Sequence, residues 1–365
     1  MNTRARVLAM YLPQYHPIPE NNAVWGKGFT EWTNVAQAKP LYRGHYQPKI
    51  PADLGFYDLR LPEVREAQAE LARSAGIEGF MYWHYWFGNG RMLLQRPFEE
   101  VLSSGKPDFP FCLGWANHSW MTKTWKKGSS FQKNPMIMEQ LYPGKEDHIA
   151  HFYYCLPAFK DHRYVKVDGK PIFTIWAPMD MPDVTEFIEN WRNLATQNGL
   201  PGIHFVGLRY GKLSVEDILN MGFDAVNNRD MLRAECKVDH FRLLTAIRYK
   251  MRKIGIPVRY NYRKLSDVLF TEEDKKEKVY PTIISGYDRT PRAGRDTVIY
   301  DNYNPQTFKH HIELALKTIE GKKDEHKIIY LQSWNEWGEG NYVEPDLKYG
   351  HAFLDAIKEC IEVIE

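Results

Sequence analysis

The sequence predicts an α/β fold, a (β/α)8 TIM barrel with long decorating loops after strand 1 and between strands 6 and 7. Three observations lead to this prediction: eight short apolar runs rich in β-forming residues, amphipathic segments between them, and a length of 365 residues. Strands that alternate with helices form a parallel sheet, and eight such units close into a barrel that reaches this size when its loops are long.

The strands are predicted from apolar runs that contain many Val, Ile, Phe, Tyr and Trp residues. They cover residues 6–11, 77–83, 109–115, 171–176, 203–208, 223–228, 279–285 and 327–333.

Helical patterns occupy the intervals between these strands. Residues 62–76 begin with a proline suited to a first helical turn and end at a glycine. Similar segments cover 183–199, 304–321 and 350–365, and the last would close the ring behind strand 8. Because no repeat, low-complexity tract or linker divides the chain, residues 1–365 are expected to form a single barrel domain.

Two segments are longer than ordinary loops, 12–61 after strand 1 and 231–278 between strands 6 and 7, and both should decorate the top of the barrel. The second is predicted to be a basic helical insertion. Residues 246–264 could make weak contact with a membrane surface or bind a phosphorylated substrate, and alternatively they form a solvated helical face. This stretch interleaves tyrosines with Arg248, Lys250, Arg252, Lys253, Arg259, Arg263 and Lys264.

Composition narrows the classes of function. The chain has 48 basic and 46 acidic residues, so no global field favours nucleic acid as a partner, whereas an aromatic content of 14% suits a carbohydrate site. Four scattered cysteines without a CxxC pair indicate free thiols in a reducing compartment. With neither a signal-peptide core nor a membrane-spanning run, the expected location is the cytoplasm.

Candidate site residues follow from the barrel, because the chemistry of this fold lies at the carboxyl ends of the strands. The residues there, together with Trp32 in the first long loop, are unusually polar and aromatic, and we expect them to bind an oligosaccharide or polysaccharide. They are Tyr11, His16, Trp32, His84, Tyr85, Trp86, Asn117, His118, Trp120, Trp176, Arg209, Tyr210, Asn228, Tyr287, Asp288, Trp334, Asn335 and Trp337.

Other chemistries have weaker signals. A metal could gather His16, His84 and His118 with a glutamate, but no HExxH-like spacing supports this, and we predict no metal and no cofactor. Cys112 lies inside a predicted strand without a histidine partner, so a cysteine nucleophile is disfavoured. Neither GxGxxG nor GxxxxGK occurs, which argues against a phosphate-binding loop.

The segment SWNEWGEG, residues 333–340, carries the candidate catalytic residues. It follows strand 8 and places Glu336 and Glu339 three positions apart among tryptophans. Glycosidic-bond cleavage needs a paired acid and base, and aromatic faces stack on sugar rings. The segment alone is also compatible with two solvated glutamates in a polar loop, so the argument depends on the other strand ends.

Taken together, these residues resemble the WbsX family, glycosyltransferase-like proteins of lipopolysaccharide and O-antigen gene clusters. The resemblance spans nearly the whole chain and consists of several motifs in order. They are YLPQYHPIPENNAVWGKGFTEW at 11–32, YWHYWF at 82–87, LGWANHSW at 113–120, VDGKPIF at 167–173, and SWNEWGEG followed by Glu344-Pro345-Asp346.

The WbsX family is in turn similar to the family 99 endo-α-mannosidases, retaining barrel enzymes whose NEWHEG segment matches residues 335–340. By this resemblance, Glu336 would deprotonate the substrate's own 2-hydroxyl, so that a 1,2-anhydro sugar forms. Glu339 would protonate the leaving oxygen and then activate water. We expect Glu339, among indoles, to have a raised pKa, and Glu336, near Arg or Asn donors, to stay ionised.

Two departures from these families concern the site. Gly338 stands where the mannosidases have histidine, and His118 stands where WbsX relatives often have glutamate. Three functions therefore remain open: a retaining glycoside hydrolase or transglycosylase acting on an α-mannoside-like bond in cell-surface polysaccharide metabolism, a glycosyltransferase that uses an activated donor, and a non-catalytic glycan-binding barrel. We favour the first, because the sequence lacks both Rossmann-like halves and a DxD motif.

Overall fold

The computed structural model of the protein describes residues 3–122, 135–209 and 213–363. At its centre, eight parallel strands close into a barrel, which confirms the predicted (β/α)8 fold. The barrel strands are β1 Arg6–Tyr11, β2 Gly79–Trp86, β3 Phe111–Trp115, β4 Lys170–Ile175, β5 His204–Leu208, β6 Ala225–Asn228, β7 Val279–Ile284 and β8 Ile328–Gln332.

The strands follow one another around the barrel in chain order. The ring closes where β8 pairs with β1, with Arg6 opposite Ile328 and Ala9 opposite Leu331. Both faces of the strands are buried, since helices cover the outside and side chains fill the inside. Across the interior, the hydroxyls of Thr174 and Tyr330 lie 3.0 Å apart in a hydrogen bond between β4 and β8.

Helices connect the strands. They are α1 Pro19–Trp25, α2 Glu31–Ala36, α3 Pro62–Ser74, α4 Arg96–Ser104, α5 Lys145–Lys160, α6 Val184–Gln197, α7 Val215–Asn220, α8 Met231–Val238, α9 Arg242–Lys253, α10 Tyr262–Leu269, α11 Thr290–Ala293, α12 Pro305–Ile319 and α13 Ala352–Ile361. Their starts follow local sequence: α12, for example, begins with Pro305 in its first turn, and Asn304 accepts a hydrogen bond from the Thr307 amide.

Shorter elements decorate this frame. The additional strands are Met92–Leu93, Trp120–Met121, Met136–Met138, Lys166–Val167, Val258–Asn261, Val298–Asp301, Asn335–Glu336 and Asn341–Tyr342. Turns of 3₁₀ helix lie at Pro178–Asp180, Glu272–Lys275, Asp324–His326 and Trp337–Glu339.

The insertion between β6 and β7 contains α8, α9 and α10 and also a strand. Val258–Asn261 pairs in parallel with Val298–Asp301, which belongs to the connection between β7 and β8. Val258 and Tyr260 are buried while Arg259 between them is exposed, the alternation of a half-buried strand. These elements enclose a small second apolar core that includes Tyr262, Leu265 and Tyr300.

Two further properties bear on the expectations from the sequence. Among the residues described, no helix is both long enough and apolar enough to cross a membrane. All four cysteines have free thiols.

Candidate active site

A cavity of about 610 Å³ opens at the carboxyl ends of the barrel strands, with its far wall formed by the insertion between β6 and β7. Its lining combines aromatic rings with charged groups, the mixture expected of a carbohydrate site. The aromatic side chains are Trp83, Tyr85, Trp120, Trp176, Tyr249, Tyr287 and Tyr300, and the charged ones are Arg209, Arg229, Asp230, Glu235, Arg252, Arg289, Arg292, Glu336 and Glu339.

Glu336 and Glu339 converge on one guanidinium. Arg292 Nη1 donates to Glu336 Oε1 at 3.0 Å and to Glu339 Oε1 at 2.6 Å. The two oxygens are therefore no farther apart than the sum of these distances, which is shorter than the ~6.5–9.5 Å between the carboxyl groups of inverting glycosidases. Both side chains are mostly buried, yet both reach the cavity.

The arginines come from the segment that follows β7. Arg292 lies on α11, and Arg289 immediately before that helix places its Nε 3.1 Å from Glu339 Oε1. Asp288 fixes this segment, since its backbone amide donates to the Glu339 carbonyl at 2.6 Å and its carboxylate accepts from Gln47 Nε2 at 2.6 Å. Burial acts to raise the pKa of Asp288, but the hydrogen bond to His45 and the charge of Lys49 outweigh it and lower that pKa to about 2.

A third carboxylate contacts the same guanidinium at its Nε atom, away from the Nη1 atom that binds the pair. Glu31, at the start of α2, is fully buried, and its Oε1 accepts from Arg292 Nε at 2.9 Å. Burial raises the pKa of Glu31 to about 7, although Arg292 opposes that shift. The backbone of Gly338 lies directly against this pair: a Cβ at Gly338 would overlap the Glu31 carboxylate and come within 2.9 Å of Arg292 Nε.

The charges around the pair reverse the expected order of the two pKa values. Desolvation by burial and the charge of Glu339 raise the pKa of Glu336. Burial also acts to raise the pKa of Glu339, but Arg292, Arg289 and Arg229 together outweigh it and lower that pKa. A proton shared by the two carboxyl groups therefore favours Glu336.

The aromatic wall is built from β2 and from the segments after β3 and β4. Trp83 and Trp176 meet edge to face with ring centroids 5.2 Å apart, and Tyr85 and Trp120 do so at 5.1 Å. Arg229 stacks on Trp176 at 4.5 Å and donates through Nη1 to Gln332 Oε1 at 2.6 Å. Such flat, rigid faces can stack on sugar rings.

The structure brings part of the predicted set of residues together. The cavity is lined by Tyr85, His118, Trp120, Trp176, Arg209, Tyr287, Glu336 and Glu339. Tyr210 lies outside the described residues. The remaining predicted residues are elsewhere: Tyr11, His16, Trp32, His84, Trp86, Asn117, Asn228, Asp288, Trp334, Asn335 and Trp337.

Strand alternation explains two of these displacements. The sequence pattern ended strand 2 at residue 83, but β2 continues to Trp86, so Tyr85 points into the cavity while His84 and Trp86 point outward to α5. Trp86 Nε1 donates to Asp147 at 3.0 Å, and His84 Nε2 lies 2.8 Å from His151 Nε2. Placing His84 and Trp86 in the site is therefore corrected.

Other predicted side chains hold the frame of the site. On the β1 side, Tyr11 donates to Gln68 Oε1 at 2.6 Å, Trp32 Nε1 donates to the Tyr57 carbonyl at 2.8 Å, and His16 is buried away from the cavity. Asn117 pairs with the Ala177 backbone through both amide atoms, and Asn228 donates to Asp274 Oδ1.

Within the SWNEWGEG segment, the residues around the glutamates support the loop. Asn335 Oδ1 accepts from the Leu12 amide at 2.8 Å, and Trp337 stacks on Tyr342 with centroids 3.7 Å apart. Trp337 Nε1 also donates to Glu344 Oε2 at 2.6 Å, and Trp334 packs on Phe80 in the core. The indoles near the glutamates are thus structural, and the sugar-facing rings come from other strands.

Sequence reasoning missed Glu31, Arg289 and Arg292. Arg289 directly follows Asp288, which was chosen, so a wider window at that strand end would have included it. Glu31 lies within the motif at 11–32 but far from any strand end, and Arg292 lies on a four-residue helix without a motif. Only the fold brings these two together.

The described residues contain one group with metal-ligand chemistry away from the cavity. His84, His151 and Cys155 are buried together, with their ligand atoms within 4.8 Å of one another. Burial lowers the pKa of His84 to about 3, so its ring is neutral, and the two imidazoles hydrogen-bond to each other. His16 and His118 do not join this group, so the metal set considered from the sequence does not assemble.

Comparison with known proteins agrees with the barrel and its motifs. The family model described as Glycosyltransferase WbsX matches residues 7–357. WxcX, an uncharacterised protein of Xanthomonas campestris pv. campestris, is 31% identical over 358 residues in each of two strains. That alignment covers 98% of this chain and 50% of WxcX, so the chain spans about half the length of these curated relatives.

Solved structures share the fold at low identity. An endo-α-mannosidase of family GH99 from Bacteroides thetaiotaomicron superposes with a TM-score of 0.60 at 14% identity, over 99% of this chain and 97% of that one. A protein described as glycoside hydrolase-like gives a TM-score of 0.60 at 16% identity, over 100% and 95%. The chain belongs to the family described as Glycosyltransferase WbsX.

Proposed function

We propose that this protein cleaves or transfers an α-mannoside-like glycosidic bond with retention of configuration, using Glu336 and Glu339. The observation that carries the proposal is the shared contact of both carboxylates with Arg292 Nη1, inside a cavity walled by aromatic rings. A close pair of carboxyl groups that differ in protonation is what retaining glycoside chemistry requires.

The proposed roles follow the match of residues 335–340 to the mannosidase motif. Glu336 accepts the proton of the substrate's 2-hydroxyl, so that this oxygen attacks the anomeric carbon, and Glu339 protonates the leaving oxygen as its bond to that carbon breaks. Glu339 then takes a proton from water or from an acceptor hydroxyl, which attacks the anomeric carbon and opens the anhydro ring, and Glu336 returns its proton to the 2-oxygen. The charges of the protein favour Glu336 as the carrier of the shared proton. A 2-hydroxyl that donates to Glu336 stabilises its ionised form, because hydrogen bonds to a charged group favour that charge, and the proton then resides on Glu339.

Two substitutions test this division of roles. Both Glu336→Gln and Glu339→Gln should lower kcat/KM on an oligomannoside by ~10² to 10⁴. On an aryl α-mannoside with an activated nitrophenyl leaving group, Glu339→Gln should recover most of its kcat/KM, since that leaving group needs no proton and kcat/KM does not include the later attack of water. Glu359→Gln, at an exposed position of α13, is the matched control and should behave as wild type.

The substrate offers a second arm of the test. A substrate methylated at its 2-oxygen has no proton to give and should not turn over, whereas an ordinary glycosyl-enzyme mechanism would tolerate the loss of that proton. NMR of the first product should show the retained anomer. If Glu336→Gln, and not Glu339→Gln, recovers kcat/KM on the activated substrate, the two roles belong to the opposite residues. Full activity of both variants would overturn the proposal.

The family description favours one alternative, transfer from an activated donor. A glycosyltransferase would turn over a nucleotide-linked or lipid-linked sugar and would show saturable binding of that donor. Product analysis with and without an added acceptor sugar distinguishes the reactions, since a hydrolase releases free sugar in the absence of any acceptor. Turnover that requires an activated donor would establish the transferase.

A further inference from the structure

The insertion between β6 and β7 exposes an unusual apolar surface. Eight of the sixteen large apolar side chains exposed among the described residues lie between Leu232 and Ile256. Three of them, Phe241, Leu243 and Ile254, are each 71% exposed. Large apolar side chains concentrated in this way mark a surface that contacts something other than water.

Helix α9 arranges these side chains on one face. Leu243, Ile247, Met251 and Ile254 recur at spacings of four, four and three residues, so they form one stripe along the helix. The opposite face binds the protein: Thr245 Oγ1 donates to Asp239 Oδ2 at 2.7 Å, and Tyr249 OH donates to Glu235 Oε2 at 2.6 Å. The apolar stripe is therefore the side that α9 turns away from the protein.

Charge accompanies this stripe. Residues 231–264 contain ten Lys or Arg and only two Asp or Glu, whereas the remainder of the chain contains 38 and 44. The two acids, Glu235 and Asp239, are buried and hydrogen-bonded within the insertion. The exposed charges of this segment are thus all positive, and among them Arg242, Lys250 and Lys253 flank the stripe on α9.

We propose that α9 docks on an anionic lipid bilayer, with its apolar stripe in the interfacial region and its lysines and arginines against the head groups. A helix that combines an exposed apolar face with a cationic flank binds in the plane of a membrane surface, and each component strengthens the other. The remainder of the chain has more acidic than basic residues, which favours the approach of an anionic surface from the side of the insertion.

Docking in this way has a consequence for the cavity. Tyr249 and Arg252, on the inner side of α9, line the same cavity as Glu336 and Glu339. Because one helix carries both the membrane-facing stripe and part of the cavity wall, docking brings the cavity to the bilayer surface.

Flotation with lipid vesicles tests the proposal. The full chain should bind vesicles of phosphatidylcholine with about one third phosphatidylglycerol, should bind pure phosphatidylcholine at least ~10-fold more weakly, and should be released by high salt. The combined substitution Leu243→Ser, Ile247→Ser and Ile254→Ser should weaken binding by ~10-fold or more. Lys250→Glu with Lys253→Glu should abolish the preference for the anionic lipid.

Matched controls come from other surfaces. Leu61→Ser with Leu347→Ser changes two exposed leucines, and Lys106→Glu with Lys323→Glu changes two exposed lysines in segments that lead into the amino ends of β3 and β8. Both control pairs should bind as wild type, and the thermal unfolding of every variant should remain cooperative.

Two results would overturn the proposal. The first is the absence of vesicle binding by the wild type, or an equal loss of binding in the control pairs. The second is a dimer in light scattering that disappears with the three serine substitutions while no vesicle binding is seen, since α9 would then cover a second copy of the chain. If the triple variant unfolds, the lysine pair and the salt dependence still decide the matter.

Discussion

Glu344 shows how one buried carboxylate holds the loop that carries the candidate catalytic pair. It accepts hydrogen bonds from Trp337 Nε1 at 2.6 Å, Gln68 Nε2 at 2.7 Å and Tyr57 OH at 2.9 Å. These bonds connect the loop after β8 to α3 and to the long segment after β1. Burial nevertheless raises the pKa of Glu344 to about 7, because the hydrogen bonds offset only part of the desolvation of the charge.

This raised pKa predicts a pH-dependent stability. Between about pH 4.5 and pH 7 the folded protein keeps a proton that the unfolded chain has released, so the contribution of Glu344 is present below that window and is lost as pH rises through it. Glu344→Gln removes the titration. The free energy of unfolding of the wild type, relative to the variant, should fall by about 3 kcal/mol across the window.

Urea denaturation at several pH values between about 4.5 and 8 measures this difference. Glu359→Gln, at an exposed position of α13, provides the control and should leave the pH dependence of the wild type unchanged. Parallel curves for the wild type and Glu344→Gln would show that Glu344 titrates alike in the folded and unfolded chains.

At the level of elements, the site depends on direct contact between α2, α11 and the loop after β8. Arg292 Nε on α11 donates a hydrogen bond of 2.9 Å to Glu31 Oε1 on α2, and both side chains lie against the backbone of Gly338. The mannosidase motif has a histidine at this position, so the glycine allows a buried ion pair to occupy the space of a side chain. Arg292 is thereby held on both Glu336 and Glu339.

Substitution of Gly338 should therefore act through this ion pair. In Gly338→Ala the new methyl group displaces Glu31 and Arg292, and we expect kcat/KM to fall by ~10² or more, because small misplacements of catalytic groups are costly. Gly321→Ala is a suitable control, since a Cβ there meets nothing within 4 Å and its backbone has no left-handed strain. Both variants can be assayed on the same glycan substrate.

A fall in kcat/KM with an unchanged KM for the substrate would locate the effect in the positioning of the two glutamates rather than in binding. Wild-type activity in Gly338→Ala would mean that Glu31 and Arg292 shift without moving either catalytic carboxylate. Such a result would show that the ion pair of Glu31 and Arg292 does not position the two glutamates.

For the whole molecule, regular features were predictable from the sequence and irregular ones were not. The ends of all eight barrel strands lie within three residues of the predicted ends, because an apolar run in the sequence indicates a buried strand. Side-chain direction at the strand ends was not predictable, because an extension of β2 by three residues decides that Tyr85 faces the cavity and His84 faces outward. Arg292 and Glu31 meet only through tertiary folding, so no local pattern marked them as partners.

The two apolar cores also predict that the barrel and the insertion unfold locally as separate units. The main core unites the barrel strands with most of the helices, whereas the second core contains eight buried residues around Tyr260 and Tyr300. Since local stability follows the amount of buried apolar contact, the insertion should open at a lower free energy than the barrel. This matters for function because the insertion supplies Tyr249 and Arg252 to the cavity wall.

Hydrogen exchange measured by mass spectrometry can resolve these two units. Peptides from residues 231–269 should exchange at an opening free energy several kcal/mol below that of peptides from β1 and β8. Tyr260→Ala should speed exchange in the insertion alone, whereas Ile329→Ala, in the centre of β8, should lower the protection of both units because it destabilises the whole fold. Identical opening free energies for the insertion and the barrel, with the same response to urea, would show a single cooperative unit, in which the cavity wall could not move while the barrel stays closed.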